Sequence, residues 1–561
     1  MVKRKNIILG IIAILLPGSI YLYTQYDTFV DKYRIADDVF QATFWMNKFH
    51  NPQLFPNDIY TEYSRYLRPW GVKFVYFFLT YLWDPILAGK ILGVLLFCTA
   101  AFLIYKVGQL YIEENNLLIL VSPLFFSFIP IALGMFPGGF GRSFAFPALF
   151  LFLIYLKKGN LKIIAIIILL GSLFYPLLLP LISSVSAFYL LFTYLTKKNL
   201  PWKKKDFYWL TLFILMSLLI IGVKYLNRPS FLGPLLTKKE MLVNPLFESG
   251  GRSPYFPFPK YLSYLKNFLF SKNPLIAFFV LLGLEELFRL RKKDSLYIIL
   301  AMIITSFILF ELAKFLFIRL YLPDRYLLFL FPTLQTLLLS RGVISILKFI
   351  KLIPFRVLVL FWVIYLLIWD LNLNRLKIYR GMCQINIPIE ERQLCEYLKK
   401  KPCNVFIAAS PYVADAISTF AEKKVLIKFE LTQAWYKNYF MIVKARTLDF
   451  FHAYYTHEIE NIRELIQKYN IDYIVVNIKF FNPYILNRKE PHIYIEPFNK
   501  YITKMITETK RYNFVILKYL KKAEFNSGPY FLIPAKAFFS PPPVAKPSIT
   551  FMPHFDHKCQ I

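Results

Sequence analysis

Eleven stretches almost free of charge, roughly 7–24, 86–106, 117–134, 143–157, 161–175, 178–196, 207–224, 273–289, 296–317, 325–340 and 356–372, constrain this chain more than any other feature. A membrane's hydrocarbon core is about 30 Å thick and takes about 20 apolar residues as a helix. Inside it every backbone N–H and C=O must be satisfied within the segment or in a closed barrel. The stretches lack the alternating ten-residue pattern of barrel strands. An α-helical polytopic membrane protein of about 11 spans is therefore expected, and a 57% hydrophobic composition agrees with it.

The formal charge of +33 would suggest nucleic acid in a soluble chain. Here the Lys and Arg fall in short segments between apolar runs, where they orient a membrane protein instead, so no nucleic acid is expected. "MVKRK" at the N-terminus, "KKGN" at 157, "KKNLPWKKK" at 197, "RLRKK" at 289 and the Lys/Arg-dotted 341–356 all read as cytoplasmic. They agree with one another only if the span count is odd and the C-terminus lies outside. The run "WGVKFVYFFLTYLW" (70–83) would invert every later loop if it crossed. It is short and bounded by Trp, so it reads as an interfacial helix. The first apolar run lacks a small-x-small cleavage site and reads as a retained anchor.

This topology gives a membrane domain over 1–374, with outer loops 25–85 and 225–260. An extracytoplasmic α/β domain over 375–525 follows, then a Pro- and Phe-rich tail over 526–561 containing "SPPPVAKPSITFMP". In the α/β domain, strands are expected at 404–409, 425–430 and 472–477. Helices are expected at 387–401, 412–421, 433–455 and 458–469, an alternation that predicts a parallel sheet. Of five cysteines, four lie beyond residue 380 with no CxxC pair, which leaves a disulfide and buried free thiols both open. The six histidines show no metal-ligand spacing.

Four outer stretches have chemical potential. "ADDVF" carries Asp37 and Asp38 at the start of a short helix. The two point about 100° apart, so one can cap the helix while the other faces a cavity as a general base or cation ligand. "GMFPGGFGRS" (134–143) offers Gly138 and Gly139 for close backbone approach to a ligand, and Arg142 as a phosphate fork. The loop 225–260 is long and rich in aromatics, so an ordered, cavity-lining loop is favoured over disorder. It carries Arg228, Lys238, Lys239 and Arg252, with Glu240 and Glu248 as possible second acids. "YLPDRY" (321–326) places Asp324 and Arg325 at the start of a span, where they pair with each other or Arg325 holds a pyrophosphate.

A cytoplasmic N-terminal anchor, an outer loop opening on an acidic pair and an interfacial helix before the second span resemble the GT-C superfamily of integral-membrane glycosyltransferases. "GGFGRSFAFP", "GPLLTKKEM…ESGGR" and "LPDRY" are likewise similar to bacterial GT-C-like membrane proteins. The resemblance implies a hexosyl- or pentosyltransferase of a bacterial inner (plasma) membrane. Its donor would be a polyprenyl-phosphate-linked sugar and its acceptor extracytoplasmic, with inversion at the anomeric carbon. Asp37 or Asp38 would be the base, with Arg142, Arg252, Arg325, Lys239 and the Gly138–Gly139 backbone near the carrier phosphates. GT-C enzymes often carry a further acid in the second outer loop. "GMFPGGFGRS" has none, so a metal-independent reaction without cofactor is expected. The alternative is a non-catalytic or transport component handling surface polysaccharide or lipid-linked glycan.

Overall fold

A computed structural model describes residues 2–542 except 113, 198–202, 271–272, 290–292, 318, 351, 371–383, 483–485, 487–492 and 510–513. The chain divides into two units. The first comprises Met1–Asp37, Arg68–Arg228 and Phe258–Ile385; the second comprises Asp38–Leu67, Pro229–Pro257 and Asn386–Ile561. Most of residues 38–67 and 229–257, expected as loops of the membrane domain, thus fold with the C-terminal region.

The first unit is helical, and among the described residues six helices are long and apolar enough to cross a membrane: Asn6–Val30, Pro85–Tyr111, Leu178–Thr196, Lys205–Leu226, Asp294–Phe315 and Pro323–Phe349. The protein is a multi-pass membrane protein. Shorter apolar helices include Leu161–Phe174 and Pro354–Tyr365. The stretch 117–134, expected as one span, is instead broken into Asn116–Ile119, Val121–Phe126 and Pro130–Leu133. Pro130 lacks an N–H and starts its own short helix, which prevents the preceding one from continuing. Helix Trp70–Leu79 has 10 residues, about 15 Å at 1.5 Å per residue, half of what a span needs.

Two devices hold these helices together. The first is aromatic: Tyr21 stacks on Phe97 with ring centres 4.5 Å apart, and Phe136 meets Phe97 edge-on at 5.2 Å. The second is a close helix crossing. A Cβ added to Gly283 would lie 2.0 Å from the Leu338 carbonyl oxygen, and one added to Gly342 would lie 2.0 Å from that of Phe279. Small residues let membrane helices pack backbone to backbone where lipid supplies no hydrophobic drive. We expect Gly283→Ala to cost about 1–3 kcal/mol through overpacking, read as a lower unfolding temperature in detergent.

The same crossing buries an ion pair. Arg341 Nε donates to Glu286 at 2.9 Å and another guanidinium nitrogen donates to the Ile112 carbonyl, with both charged side chains almost fully buried. Arg341 was expected among cytoplasmic loop charges; it lies inside the Pro323–Phe349 helix. Its opposite charge comes from Glu286, which lies within the expected span 273–289.

The second unit centres on a five-stranded sheet. With β1 (Arg34–Ala36) and β2 (Gln384–Asn386) forming a separate two-stranded sheet, its members are β3 (Phe406–Ala408), β4 (Lys424–Val425), β5 (Tyr473–Asn477), β6 (Phe525–Ser527) and β7 (Tyr530–Pro534), in the order β4-β3-β5-β7-β6. β4, β3 and β5 are parallel as expected, but β7 runs antiparallel to both its neighbours, β5 and β6. The tail therefore begins with sheet structure rather than as irregular chain. "YFLIP" presents Tyr530 and Leu532 to the buried side, and Gly528, at φ +52°, makes the tight return from β6. The expected strand 425–430 stops after Val425, because the chain turns away to serve the charged cluster described below.

The segment 38–67 is built into this unit by tyrosines. Tyr60 Oη donates to the Leu426 carbonyl at 3.1 Å, and Tyr63 Oη to Gln433 at 3.1 Å while its ring stacks on Tyr439 at 3.9 Å. Residues 229–257 are ordered too. Leu235 bridges Tyr436, and Trp435 packs between Phe247 and Tyr255 at 5.5 and 5.7 Å.

Candidate functional site

The unit boundary falls between the paired acids. Asp37 follows β1 and is exposed. Asp38 is half-buried at the N-cap position of helix Val39–Ala42, yet its carboxylate makes no capping bond to a helix N–H; it accepts from the Gln41 side-chain amide. A third acid, Asp58, does cap: its carboxylate accepts from the Thr61 N–H and hydroxyl, each at 2.8 Å, at the start of helix Ile59–Leu67.

Gly138 and Gly139 adopt φ of +81° and +59°, conformations open to glycine. The close approach they permit is made to the chain itself. Tyr76 Oη donates to the Gly138 carbonyl at 2.6 Å, and a Cβ on Gly89 would fall 2.7 Å from the same oxygen. This packing delivers Arg142, half-buried, with its guanidinium 5.5 Å from the Phe140 ring centre.

Arg142 and Arg325 both act electrostatically on one residue, Tyr175, as does Asp324, and the charges of Asp324 and Arg325 reach Tyr264 as well. Tyr175 directly follows helix Leu161–Phe174, and its ring meets Phe329 edge-on at 5.5 Å. Phe144 stacks on Phe174 at 4.3 Å and so ties the arginine turn to this helix end. The sequence reading passed over Tyr175; the polar "Tyr-Pro" step between two apolar runs was its signal.

Arg252 and Lys239 belong to the second unit. Lys239 is exposed on the short helix Lys238–Leu242, whose start Thr237 and Glu240 close as a capping box. The Glu240 carboxylate is held low, to about 2, mainly by the Thr237 N–H and then by Lys437; Glu248 is exposed. Arg252 pairs with Glu430, donates to the Phe429 carbonyl at 3.2 Å and lies over the Phe429 ring at 4.6 Å.

That pair borders a buried cluster absent from the sequence reading. Lys428 Nζ donates to Ser418 at 2.6 Å and to the Phe40 carbonyl at 3.0 Å, sits 3.4 Å from the Phe44 ring centre, and faces Asp415 at 3.8 Å. Burial pulls the ammonium down to about 8 against the opposing pull of Asp415. Burial raises Asp415 to about 6, against Lys428 and the Glu430 N–H. Lys428 thus anchors the turn of chain that follows Asp38.

Glu391 extends the cluster, accepting from Tyr530 Oη at 3.0 Å. Burial pushes its carboxyl to about 7, with Asp415 and Glu390 adding like charge and Tyr530 opposing. A folded-state value above the ordinary 4.5 means that the native state binds the proton more tightly. The resulting stabilisation is complete below about pH 4.5 and is lost as pH rises through 7, roughly 3 kcal/mol in all. Glu391→Gln should flatten this part of the pH dependence in a thermal-unfolding series; an unchanged slope would exclude Glu391 as its source.

Among the described residues no three His, Cys, Asp or Glu side chains gather as metal ligands would, and Cys98, Cys395 and Cys403 are free thiols; Cys383 and Cys559 lie outside the described residues. No protein-family profile matches the chain, and no curated protein matches it in sequence. Among solved structures, the chain is similar to the oligosaccharyltransferase of Archaeoglobus fulgidus. With that enzyme tethered to an acceptor peptide containing the NVT sequon, identity is 12%, 84% of this chain and 69% of that chain are covered, and the TM-score is 0.47. With its apo form the figures are 11%, 84%, 70% and 0.47.

Proposed function

We propose that this protein is a glycosyltransferase that moves a sugar from a polyprenyl-phosphate carrier to an extracytoplasmic acceptor. The observation that carries this reading is that the charges of Arg142 and Arg325, 183 positions apart in sequence, both act on Tyr175. Both arginines are candidates for the carrier phosphate, and Asp37 belongs to the same unit. In the proposed reaction the Asp37 carboxylate takes the acceptor hydroxyl proton as that oxygen bonds to the anomeric carbon. The bond from that carbon to the carrier phosphate breaks, and the phosphate leaves with the electron pair. Arg142 and Arg325 stabilise the leaving charge, and the configuration inverts.

Asp37 is preferred over Asp38 because it belongs to the same unit as Arg142 and Arg325, whereas Asp38 begins the other unit. The inner membrane of a bacterium is the proposed location, with the N-terminus cytoplasmic and residues beyond 375 outside. Arg142→Ala and Arg325→Ala should each lower transfer by about 10²–10³-fold, followed as release of polyprenyl phosphate from a radiolabelled lipid-linked sugar. Full activity in both variants would refute the phosphate role. The transport alternative predicts carrier movement without release of free polyprenyl phosphate in the same assay.

A further inference from the structure

Asp37, the base of the proposed reaction, lies seven residues beyond Val30, where the first helix, Val2–Val30, ends. That short length of chain is tied down within itself. The Asp31 carboxylate accepts from the Tyr33 N–H at 2.9 Å, and the Asp31 carbonyl accepts from the Arg34 N–H at 3.1 Å. Arg34 also reaches back to pair with Asp27 of the helix at 2.6 Å. Tyr33, Ile35 and Ala36 are buried, so β1 is packed as well as bonded. Gln384, at the start of β2, donates to the Thr24 carbonyl at 3.0 Å and ties the partner strand to the same helix end.

A further tie comes from a different helix. Lys90 stands in the second turn of Pro85–Tyr111 and is half-buried. A lysine within a span is costly unless its ammonium finds partners or water. Here it donates to the Thr28 carbonyl and, more weakly, to the Asp31 carbonyl at 3.5 Å. A helix C-terminus leaves carbonyls without N–H partners and carries partial negative charge, and the last turn of Val2–Val30 has no basic residue of its own. Lys90 supplies that cation from the second spanning helix. A side chain serving the helix end alone would stop at Thr28; by extending to Asp31 it also holds the turn from which β1 departs. We infer that Lys90 is a positioning residue for Asp37, locking the helix end and the Asp31–Arg34 turn to the second spanning helix and so fixing where the carboxylate is presented. This inference rests on Asp37 being the base.

The test replaces Lys90 in the full chain, reconstituted in nanodiscs. Methionine suits a spanning helix, so Lys90→Met should fold and unfold within a few degrees of the wild type. It should speed amide hydrogen exchange over residues 31–36. It should also lower kcat by about 10–100-fold, the loss expected when a reacting group is displaced by about 1 Å. KM should stay unchanged for the radiolabelled polyprenyl-phosphate hexose or pentose that the wild type turns over. Lys90→Arg, which can donate to both carbonyls, should recover most of the rate. In an Asp37→Asn background Lys90→Met should cost nothing further, because the group it positions is already gone, whereas an independent structural loss would add. Unchanged exchange in Lys90→Met, or an additive loss in the double variant, would overturn the positioning role. Full activity in both single variants despite faster exchange would instead refute the base assignment on which it rests.

Discussion

Asp37→Asn should reduce sugar transfer by about 10²–10⁴-fold, the usual contribution of a positioned general base, with expression and unfolding temperature unchanged. The expectation rests on its place: an exposed carboxylate just beyond β1, at the end of the membrane unit. Asp38→Asn should leave most activity, since Asn serves as well as Asp at an N-cap position and can still accept from Gln41. Release of carrier phosphate from a labelled donor measures both. Full activity in Asp37→Asn would remove it as the base, and a dead Asp38→Asn with a live Asp37→Asn would reverse the assignment. Fusing a topology reporter after residue 375 tests the accompanying orientation, because a cytoplasmic signal is incompatible with it.

Arg341→Met should be the most damaging single change to the membrane unit, at about 3–5 kcal/mol. Removing the guanidinium takes the 2.9 Å partner from buried Glu286, which keeps the half-exposed Arg289 at 3.7 Å, and the Ile112 carbonyl loses a donor. The double variant Glu286→Leu with Arg341→Met should recover most of the loss, because two well-packed apolar side chains replace a buried ion pair at little cost. Unfolding in detergent, followed by tryptophan fluorescence, distinguishes the outcomes. A single variant as stable as the wild type would show that the pair carries no structural weight.

Much of the architecture was legible because the signals are local. Apolar runs, the shortness of 70–83 and the aromatic content of 225–260 each depend on nearby residues alone. Strands β3 and β5 and the helices Ile389–Lys399, Lys437–Tyr454 and Ile459–Tyr469 fall where the pattern put them. The misplacements share a cause. Residues 525–534 look irregular beside a Pro-rich tail, yet β7 pairs with β5 across more than fifty residues. The span at 117–134 satisfies hydropathy, which does not register a missing proline N–H. Among the candidate residues, Arg142 and Arg325 were visible as basic residues at span edges, whereas Tyr175, on which both charges act, was not.

The sequence by itself determined the solvent this chain folds in. Apolar runs of bilayer length must be helical, because lipid offers no partner for an open backbone, and that conclusion needs no knowledge of which helix meets which. Tertiary structure decided where the charges go. Glu286 meets Arg341 across 55 residues and Lys428 meets the Phe40 carbonyl across 388, and either lysine or arginine would otherwise read as a surface charge. Burying a charge costs far more than any local preference contributes, so its partner is set by whichever long-range packing brings a carboxylate or carbonyl within reach.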